Sequence, residues 1–254
     1  MSVAGLLLGD SRFPAGGHAH SGGVEPAVTA GTVTGLDSLE LFLHGRLRTS
    51  GLVAAAVAAA ACAHVAACAH AAVREPRAGE ESAAPVTDHF WSQLDAETDA
   101  RTPSPAQREA SRRQGRALLR AARTAWPEAG WLAELAAGSR NREPGKREYR
   151  GGAHHAVVLG AAAAAAGCDP GEAARIAAYQ AVAGPVSAAV RLLALDPMRA
   201  TGVLAGLTAD IGQVAEQAAA YASGPPCDLP CPSAPALDLL AEAHIRAEVR
   251  LFES

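Results

Sequence analysis

Aromatic side chains are scarce in this chain of 254 residues, where they make up 4% of the total. Packed β-sheets rely on large branched and aromatic side chains, so this scarcity disfavours a β-sandwich. Alternating β-branched runs bounded by tight turns are also nearly absent. Alanine is abundant, and it is the residue that favours helices most strongly. The sequence therefore predicts an all-α fold, a single-domain bundle of about seven to ten helices.

An excess of positive charge is also missing. A net charge of -4 gives no basis for a nucleic-acid partner. The N-terminus lacks a signal peptide's basic and apolar regions, because Asp10 and Arg12 interrupt the only apolar run, so a cytoplasmic location is expected.

The segment Gly51 to Val73 is long enough to cross a bilayer. Alanine contributes little to insertion, however, and His64 and His70 oppose it, so no membrane association is predicted.

The five cysteines are odd in number and scattered, which argues against a disulfide framework and for reduced thiols. In "CAHVAACAH", a helix would point Cys62 and His64 in nearly opposite directions, and only His64 and Cys68 would share a face. Two ligands do not make a closed metal site, so buried polar residues are the better interpretation. Cys227 and Cys231 have no second cysteine pair at zinc-like spacing to accompany them.

Local signals indicate where helices begin and end. Thr34, with Asp37 three residues later, resembles a capping box and predicts a helix over roughly residues 35–49. Asp169 and Glu172 form a second such box, with a proline between them at the first helical position. Adjacent His154 and His155 would diverge on a helix, so at most one faces the core, where a hydrogen-bonded core histidine is favoured over a ligand. Further helices are expected at about 52–73, 106–123, 154–166, 197–221 and 235–251, with surface loops near 74–88, 139–152 and 223–234.

The glycine-rich stretch "LLLGDSRFPAGGHAHSGGVE", Leu6 to Glu25, raises the question of a phosphate loop, a metal site or a structural turn. It lacks the pattern G-x-x-x-x-G-K-[ST], follows no strand and contains no lysine, which argues against a nucleotide site. Asp10 and Glu25 have no nucleophile elbow or triad pattern beside them. Since no such constellation occurs anywhere in the chain, the sequence favours a binding protein over an enzyme.

Several segments resemble one known family when they are taken together. The stretch "GDSRFPAGGHAHSGGVE" is similar to the N-terminal signature of the urease accessory protein UreF family. Similar family segments follow in the same order and at similar spacing over nearly the whole chain. They are "REASRRQGRALLR" (108–120), "HHAVVLG" (154–160), "GPVSAAVRL" (184–192) and "PALDLLAEAHIRAEVRLFES" (235–254).

The resemblance implies an all-α scaffold without enzymatic activity. Proteins of this family form homodimers, bind the accessory protein UreD (called UreH in some organisms) and recruit the GTPase UreG. The assembly delivers nickel to apo-urease. The resemblance therefore implies that no cofactor is bound tightly and that nickel is at most in transit.

The C-terminal tail, residues 250–254, is a candidate partner surface because it combines an arginine with large apolar side chains, as interface cores do. Its candidate residues are Arg250, Leu251, Phe252 and Ser254. The alternative is that Leu251 and Phe252 pack back on the body of the protein, and the sequence leaves both open. The arginine-rich helix near residues 106–123 predicts a solvated face, from which Arg112 and Arg116 are further candidates for binding an acidic partner.

The opening stretch is interpreted as a tight turn with a close backbone approach that launches the first helix, with Glu25 in the first helical turn. His18 and His20 are candidates for a transient nickel path. Two other functions stay open. One is a nickel-binding or storage protein, or a metal-dependent hydrolase, that uses His18 and His20 together with His64 and the cysteines. The other is a stand-alone GTPase regulator that uses Arg112 or Arg116. The residues of the structural motif are Asp10, Ser11, Pro14, Gly16, Gly17, Ser21, Gly23 and Glu25.

Overall fold

The computed structural model describes residues 2–10, 12–15, 17–73, 87–138, 152–247 and 250–252. Every regular element among them is helical, and the prediction of an all-α single domain is confirmed. The helices are α1 (Val3–Gly9), α2 (Val24–Thr29), α3 (Leu36–Arg46), α4 (Leu52–Val73), α5 (Thr87–Ala100), α6 (Pro105–Ala125), α7 (Gly130–Gly138), α8 (His155–Ala165), α9 (Pro170–Leu193), α10 (Pro197–Gly206), α11 (Thr208–Ala219) and α12 (Pro235–His244).

Helix α4 is the centre of the domain. It packs most extensively against α8 and α9, and α11 also lies against it. Most of its side chains are alanine, so the backbones of neighbouring helices approach closely, and residues 55–62 are all buried. The closest approach involves Gly160 of α8: a Cβ atom added there would lie 2.2 Å from the carbonyl oxygen of Ala58. Small residues thus replace large apolar ones as the means of filling the core.

Helices α3 and α4 form one continuous rod, because a π-helical turn at Leu47–Gly51 joins them without a loop. The predicted end near residue 49 is therefore wrong. The predicted Thr34 cap is also wrong, because Gly35 is the N-cap. The Ser38 hydroxyl accepts the backbone N–H groups of Thr34 (2.9 Å) and Gly35 (3.1 Å) instead. A serine inside the first turn thus performs the capping that the spacing assigned to Thr34.

The later helix starts follow the sequence more closely. The Asp169 side chain accepts the Glu172 N–H at 2.7 Å, and Glu172 accepts the Asp169 N–H at 3.2 Å, which confirms the capping box. The expected helix over 197–221 is broken at Leu207, and the last helix ends at His244 rather than near Leu251. Helices α1 and α7 had not been predicted.

Among the residues that the structure describes, two helices are long and apolar enough to cross a membrane by length and composition: the rod Leu36–Ala71 and α9. A buried core helix passes the same test. Here α4 and α9 pack against each other in the middle of the domain. The packing gives their apolar composition a structural explanation.

The structure describes only one of the three predicted surface loops in full. Residues 74–86 and 139–151 lie outside the described part of the chain. The connection at 223–234 contains one short 3-10 turn, Pro226–Asp228. The Arg101 guanidinium of α5 holds this connection, since it donates to the carbonyl oxygens of Cys227 (2.9 Å) and Leu229 (2.8 Å).

Candidate functional site

The opening motif connects α1 to α2 rather than launching the first helix, so that prediction is corrected. Asp10 follows α1, and its carboxylate accepts the backbone N–H of Arg12 at 2.8 Å. This hydrogen bond, together with the Arg12 side chain, lowers the pKa of Asp10. Pro14 is exposed, and Gly17 begins a short 3-10 turn. Ser11 and Gly16 lie outside the described residues.

The end of the motif needs glycine for two separate reasons. Gly22 and Gly23 have φ angles of 59° and 88°, in the left-handed region that other residues rarely adopt. A Cβ atom on Gly22 would also lie 2.9 Å from the Pro185 side chain of α9. Ser21 beside them is fully buried. The predicted tight turn with a close backbone approach is therefore present, at the entry to α2.

Glu25 lies in the first turn of α2, as predicted, but its main contacts are with the other end of the chain. Its carboxylate accepts the backbone N–H of Leu251 at 2.7 Å and that of Phe252 at 2.8 Å. The His244 Nε2 atom lies 3.4 Å from the same carboxylate. We call this group the tail clamp: Glu25, His244, Leu251 and Phe252. Glu25 and His244 are 6% and 5% exposed, so the clamp is inside the protein.

The tail shows both behaviours that the sequence left open. Phe252 packs back on the body: it is buried, and the Arg191 guanidinium lies 4.6 Å from the centre of its ring. Leu251 is 73% exposed and Arg250 is also exposed. Ser254 lies outside the described residues. The clamp thus fixes the backbone of the tail and leaves Arg250 and Leu251 facing solvent.

We predict that Glu25→Gln loosens the tail. The neutral amide of glutamine offers only one acceptor oxygen and places its NH2 group against the second backbone N–H. One hydrogen bond to a charged group is therefore lost, and such bonds contribute about 1.5–3 kcal/mol. The amides of Leu251 and Phe252 should exchange with solvent at least about tenfold faster, since about 1.4 kcal/mol corresponds to a factor of ten. Hydrogen exchange measured by NMR checks this. Glu216→Gln, on the exposed face of α11, is the matched control, and unchanged exchange in the Glu25 variant would contradict the clamp.

A second polar group is buried between α5, α6 and the start of α8. Arg112 of α6 is 5% exposed, and its Nη1 and Nη2 atoms lie 2.8 Å from carboxylate oxygens of Asp95 and Asp99, respectively. It also donates to the Gly152 carbonyl oxygen at 2.6 Å. Burial alone would raise the pKa of Asp99, but hydrogen bonds and charges from His154 and Arg112 outweigh it and lower that pKa. The Asp99 carboxylate is therefore held ionised beside the guanidinium.

The same group caps α8. The Asp95 carboxylate accepts the backbone N–H of His154 at 2.8 Å, and the Ser111 hydroxyl accepts that of His155 at 3.2 Å. The His154 ring lies between Asp99 (2.8 Å from Nε2) and Ser111 (3.0 Å from Nδ1). His154 itself is 0% exposed. Helix α8 thus receives its N-terminal acceptors from two neighbouring helices, and the carboxylate also complements the helix dipole.

The His154 ring is hydrogen-bonded to Ser111 on one side and to Asp99 on the other, the arrangement of a Ser-His-acid catalytic triad. The ring of His154 is fully enclosed, however, and the serine oxygen is engaged by a backbone N–H. Such a serine is held as a helix cap and is not presented to a substrate. We therefore interpret the connection as structural, which agrees with the expectation of a hydrogen-bonded core histidine at His154.

Asp95, Asp99 and His154 also form the one group of three potential metal ligands found within the described residues, with ligand atoms within 4.8 Å of one another. Arg112 already supplies the positive charge between the two carboxylates. A metal ion there would have to displace a buried guanidinium, at the cost of breaking a buried ion pair. The sequence signal that was missed is the spacing of Asp95 and Asp99, four residues apart on one face of α5.

The prediction of a solvated arginine face is wrong at Arg112, which α5 and the start of α8 enclose. Its predicted role in partner binding stays a prediction that this burial disfavours. Arg116 is about half exposed, and its Nη2 atom lies 3.9 Å from the Glu109 carboxylate. Arg116 is therefore accessible for the role predicted for it.

His20 lies close enough to His155 to influence its titration, whereas the side chain of His18 is outside the described part of the chain. Burial lowers the pKa of His155 to about 4, and repulsion from His20 contributes to the shift. An unfolded histidine titrates near pH 6.5, so the unfolded chain binds a proton well before the folded one does. Stability from neutral His155 is complete above about pH 6.5 and is lost as the pH falls toward about 4.

We predict that this histidine makes stability depend on pH in the mildly acidic range. Between pH 7 and pH 5 the free energy of unfolding should fall by about 2 kcal/mol through His155 alone. Urea unfolding followed by circular dichroism at both pH values measures the change. The variant His155→Gln should lose this part of the dependence, and His70→Gln, at an exposed position of α4, should keep it. If the free energy of unfolding falls by the same amount between pH 7 and pH 5 in the wild type and in His155→Gln, the pH dependence does not come from His155.

These features define the class of protein: an all-α domain whose core is an alanine-rich helix and whose opening motif and tail are joined by a buried carboxylate. Comparison with known proteins identifies the family. The sequence model of the UreF family matches residues 33–208. The chain is 43% identical over 249 residues to urease accessory protein UreF of Mycobacterium sp. (strain JLS), covering 98% of this chain and 97% of that protein.

Other relatives agree over the same length. The UreF proteins of Mycolicibacterium vanbaalenii and of Mycobacterium tuberculosis (strain H37Rv) are each 42% identical over 249 residues, with 98% of this chain and 97% of the relative covered. The chain therefore belongs to the urease accessory protein UreF family. The resemblance indicated by the separated sequence motifs is confirmed.

Proposed function

We propose that this protein is a urease-maturation scaffold that binds UreD (UreH) and recruits the GTPase UreG, so that nickel is delivered to apo-urease. The observation that carries the proposal is the similarity to urease accessory proteins along 98% of the chain. Within the structure, the Glu25 carboxylate joins the opening motif to the tail. In this proposal the protein acts as a homodimer in the cytoplasm, without catalytic activity of its own.

The tail supports the proposal because it offers a rigid partner surface. An exposed leucine beside an exposed arginine is the kind of pair that interface centres use. The clamp holds the backbone of Leu251, so little conformational entropy is lost when a partner covers its side chain. We therefore place Arg250 and Leu251 on the partner surface, and we assign Phe252 the role of anchoring them.

Nickel in this proposal is cargo that passes through the assembly. His18 and His20 belong to the opening motif and stay candidates for contact with it. A stand-alone GTPase regulator with Arg112 at its centre has less support, because the Arg112 guanidinium is engaged by two aspartates and cannot reach another protein's nucleotide.

Co-expression with UreD and UreG, followed by size-exclusion chromatography, tests the proposal. We expect a complex that contains all three proteins. Leu251→Asp should weaken UreD capture at least about tenfold, because it places a charge in an apolar contact. Leu41→Asp, at another exposed leucine on α3, is the matched control. Absence of any complex with the wild type would refute the scaffold, whereas equal capture by both variants would refute only the tail surface.

A further inference from the structure

A half-open cavity of about 220 Å³ lies where α4 meets α5 and α7. It is smaller than the cavities of about 300–1,000 Å³ that hold drug-sized ligands. The Trp131 ring on one wall is fixed, because its Nε1–H group donates to the Ala161 carbonyl oxygen at 3.1 Å. The lining residues are His64, Val65, Cys68, Ala69, Trp91 and Trp131.

Two of these side chains bring potential metal ligands together. His64 and Cys68 are one turn apart on α4, and the His64 Nε2 atom lies 3.6 Å from the Cys68 sulfur. The imidazole is held in this orientation by stacking on Phe90, with ring centres 3.8 Å apart, and by the edge of Trp91 at 5.3 Å. One nitrogen and one sulfur thus face each other at the wall of an apolar cavity.

Burial favours the uncharged forms of both side chains. Burial lowers the pKa of His64, so its imidazole is neutral near pH 7. Burial and, secondarily, the charge of Glu134 raise the pKa of Cys68, so its thiol keeps its proton. A reactive cysteine needs the opposite shift. A neutral imidazole is already a metal ligand, and the Cys68 thiol becomes one when it loses a proton.

We propose that His64 and Cys68 form a binding site for a soft monovalent metal ion of the copper(I) class. Thiolate and imidazole are ligands that copper(I) accepts. Zinc generally requires four ligands, and harder divalent ions require oxygen ligands that the cavity wall does not supply. Binding forms a Cys68 sulfur–copper bond, breaks the S–H bond and releases the proton to solvent, without any change of oxidation state. The site is independent of the scaffold function.

Anaerobic titration with copper(I), in competition with a colorimetric copper(I) chelator, tests the site. The chain should carry Cys227→Ser and Cys231→Ser, because both of these thiols are exposed and would bind the ion themselves. We expect one equivalent to bind and to change the tryptophan fluorescence. Loss of a residue that only hydrogen-bonds to a metal ligand weakens metal binding by about 10- to 100-fold. Cys68→Ser removes a ligand itself, so it should weaken copper(I) binding by more than about 100-fold.

His64→Phe keeps an aromatic ring against Phe90 and should weaken binding by about 10-fold or more. His70→Phe, at an exposed position on the same helix, should leave it unchanged. Equal affinity for the chain with only Cys227→Ser and Cys231→Ser and for the same chain with either Cys68→Ser or His64→Phe added would overturn the site. Because the Cys68 and His64 variants could misfold, protection of Cys68 from alkylation by one equivalent of copper(I) is also measured by mass spectrometry in the chain that carries only Cys227→Ser and Cys231→Ser. Unprotected Cys68 would also overturn the proposal.

Discussion

Gly160→Ala is expected to destabilise the protein by about 3 kcal/mol or more, at the upper end of the cost of overpacking a core. The added Cβ atom would lie 2.2 Å from the Ala58 carbonyl oxygen and 2.6 Å from the Ala61 Cβ atom, both on α4. Neither atom belongs to a flexible side chain, so α4 and α8 would have to separate. Since these helices form the centre of the domain, the loss should appear in global unfolding followed by circular dichroism.

The same substitution at Gly45 provides a control with the opposite sign. Gly45 is exposed on α3, and apart from its chain neighbours and the backbone of its own helix no described atom lies within 4 Å of the position that its Cβ would take. Alanine in a helix is about 1 kcal/mol more favourable than glycine, so Gly45→Ala should stabilise the protein. A Gly160→Ala variant that unfolds at the same urea concentration as the wild type would show that α4 and α8 are less closely packed than the structure has them.

Arg112→Met is expected to cost about 3–5 kcal/mol, the usual loss when one partner of a buried ion pair is removed. Methionine fills a similar volume but leaves Asp95 without its counter-charge, and the side chain of Asp95 is 1% exposed. It also removes the donor to the Gly152 carbonyl oxygen, which lies just before α8. Thermal and urea unfolding measure the loss directly.

One comparison makes this expectation specific. Arg113→Met removes a neighbouring guanidinium whose ion pair with Glu109 is about half exposed, and such pairs contribute about 0–1 kcal/mol. Equal losses of stability for Arg112→Met and Arg113→Met would contradict the buried ion pair.

The motifs that revealed the family acquire structural roles in the fold. Ser111 and Arg112 belong to the helical segment "REASRRQGRALLR", and His154 and Gly160 belong to "HHAVVLG". All four lie where α8 meets α4, α5 or α6. Gly115 of the same helical segment completes the junction, because a Cβ atom there would lie 2.1 Å from the Ala153 carbonyl oxygen. In this chain the two segments thus serve the packing and capping of one helix.

The candidate site was predictable only in part. The turn glycines and the position of Glu25 in the first turn of α2 followed from local sequence, because backbone conformation and helix starts depend on neighbours a few residues away. The contacts of Glu25 with Leu251 and Phe252 did not, because those residues are more than 220 positions away. The sequence left open whether the tail faces a partner or packs back on the body, and its division into a buried Phe252 and an exposed Leu251 required the fold.

The sequence by itself determined the helical class, the Asp169 cap and the membership of the family, because composition, local spacing and ordered motifs are properties of the chain alone. Only the tertiary structure decided which polar residues are buried. Arg112 and Arg113 are neighbours with the same side chain, yet the first is enclosed by two aspartates and the second lies at the surface. The difference arises because adjacent residues on a helix point about 100° apart, and the positions of α5 and α8 decide which direction is covered.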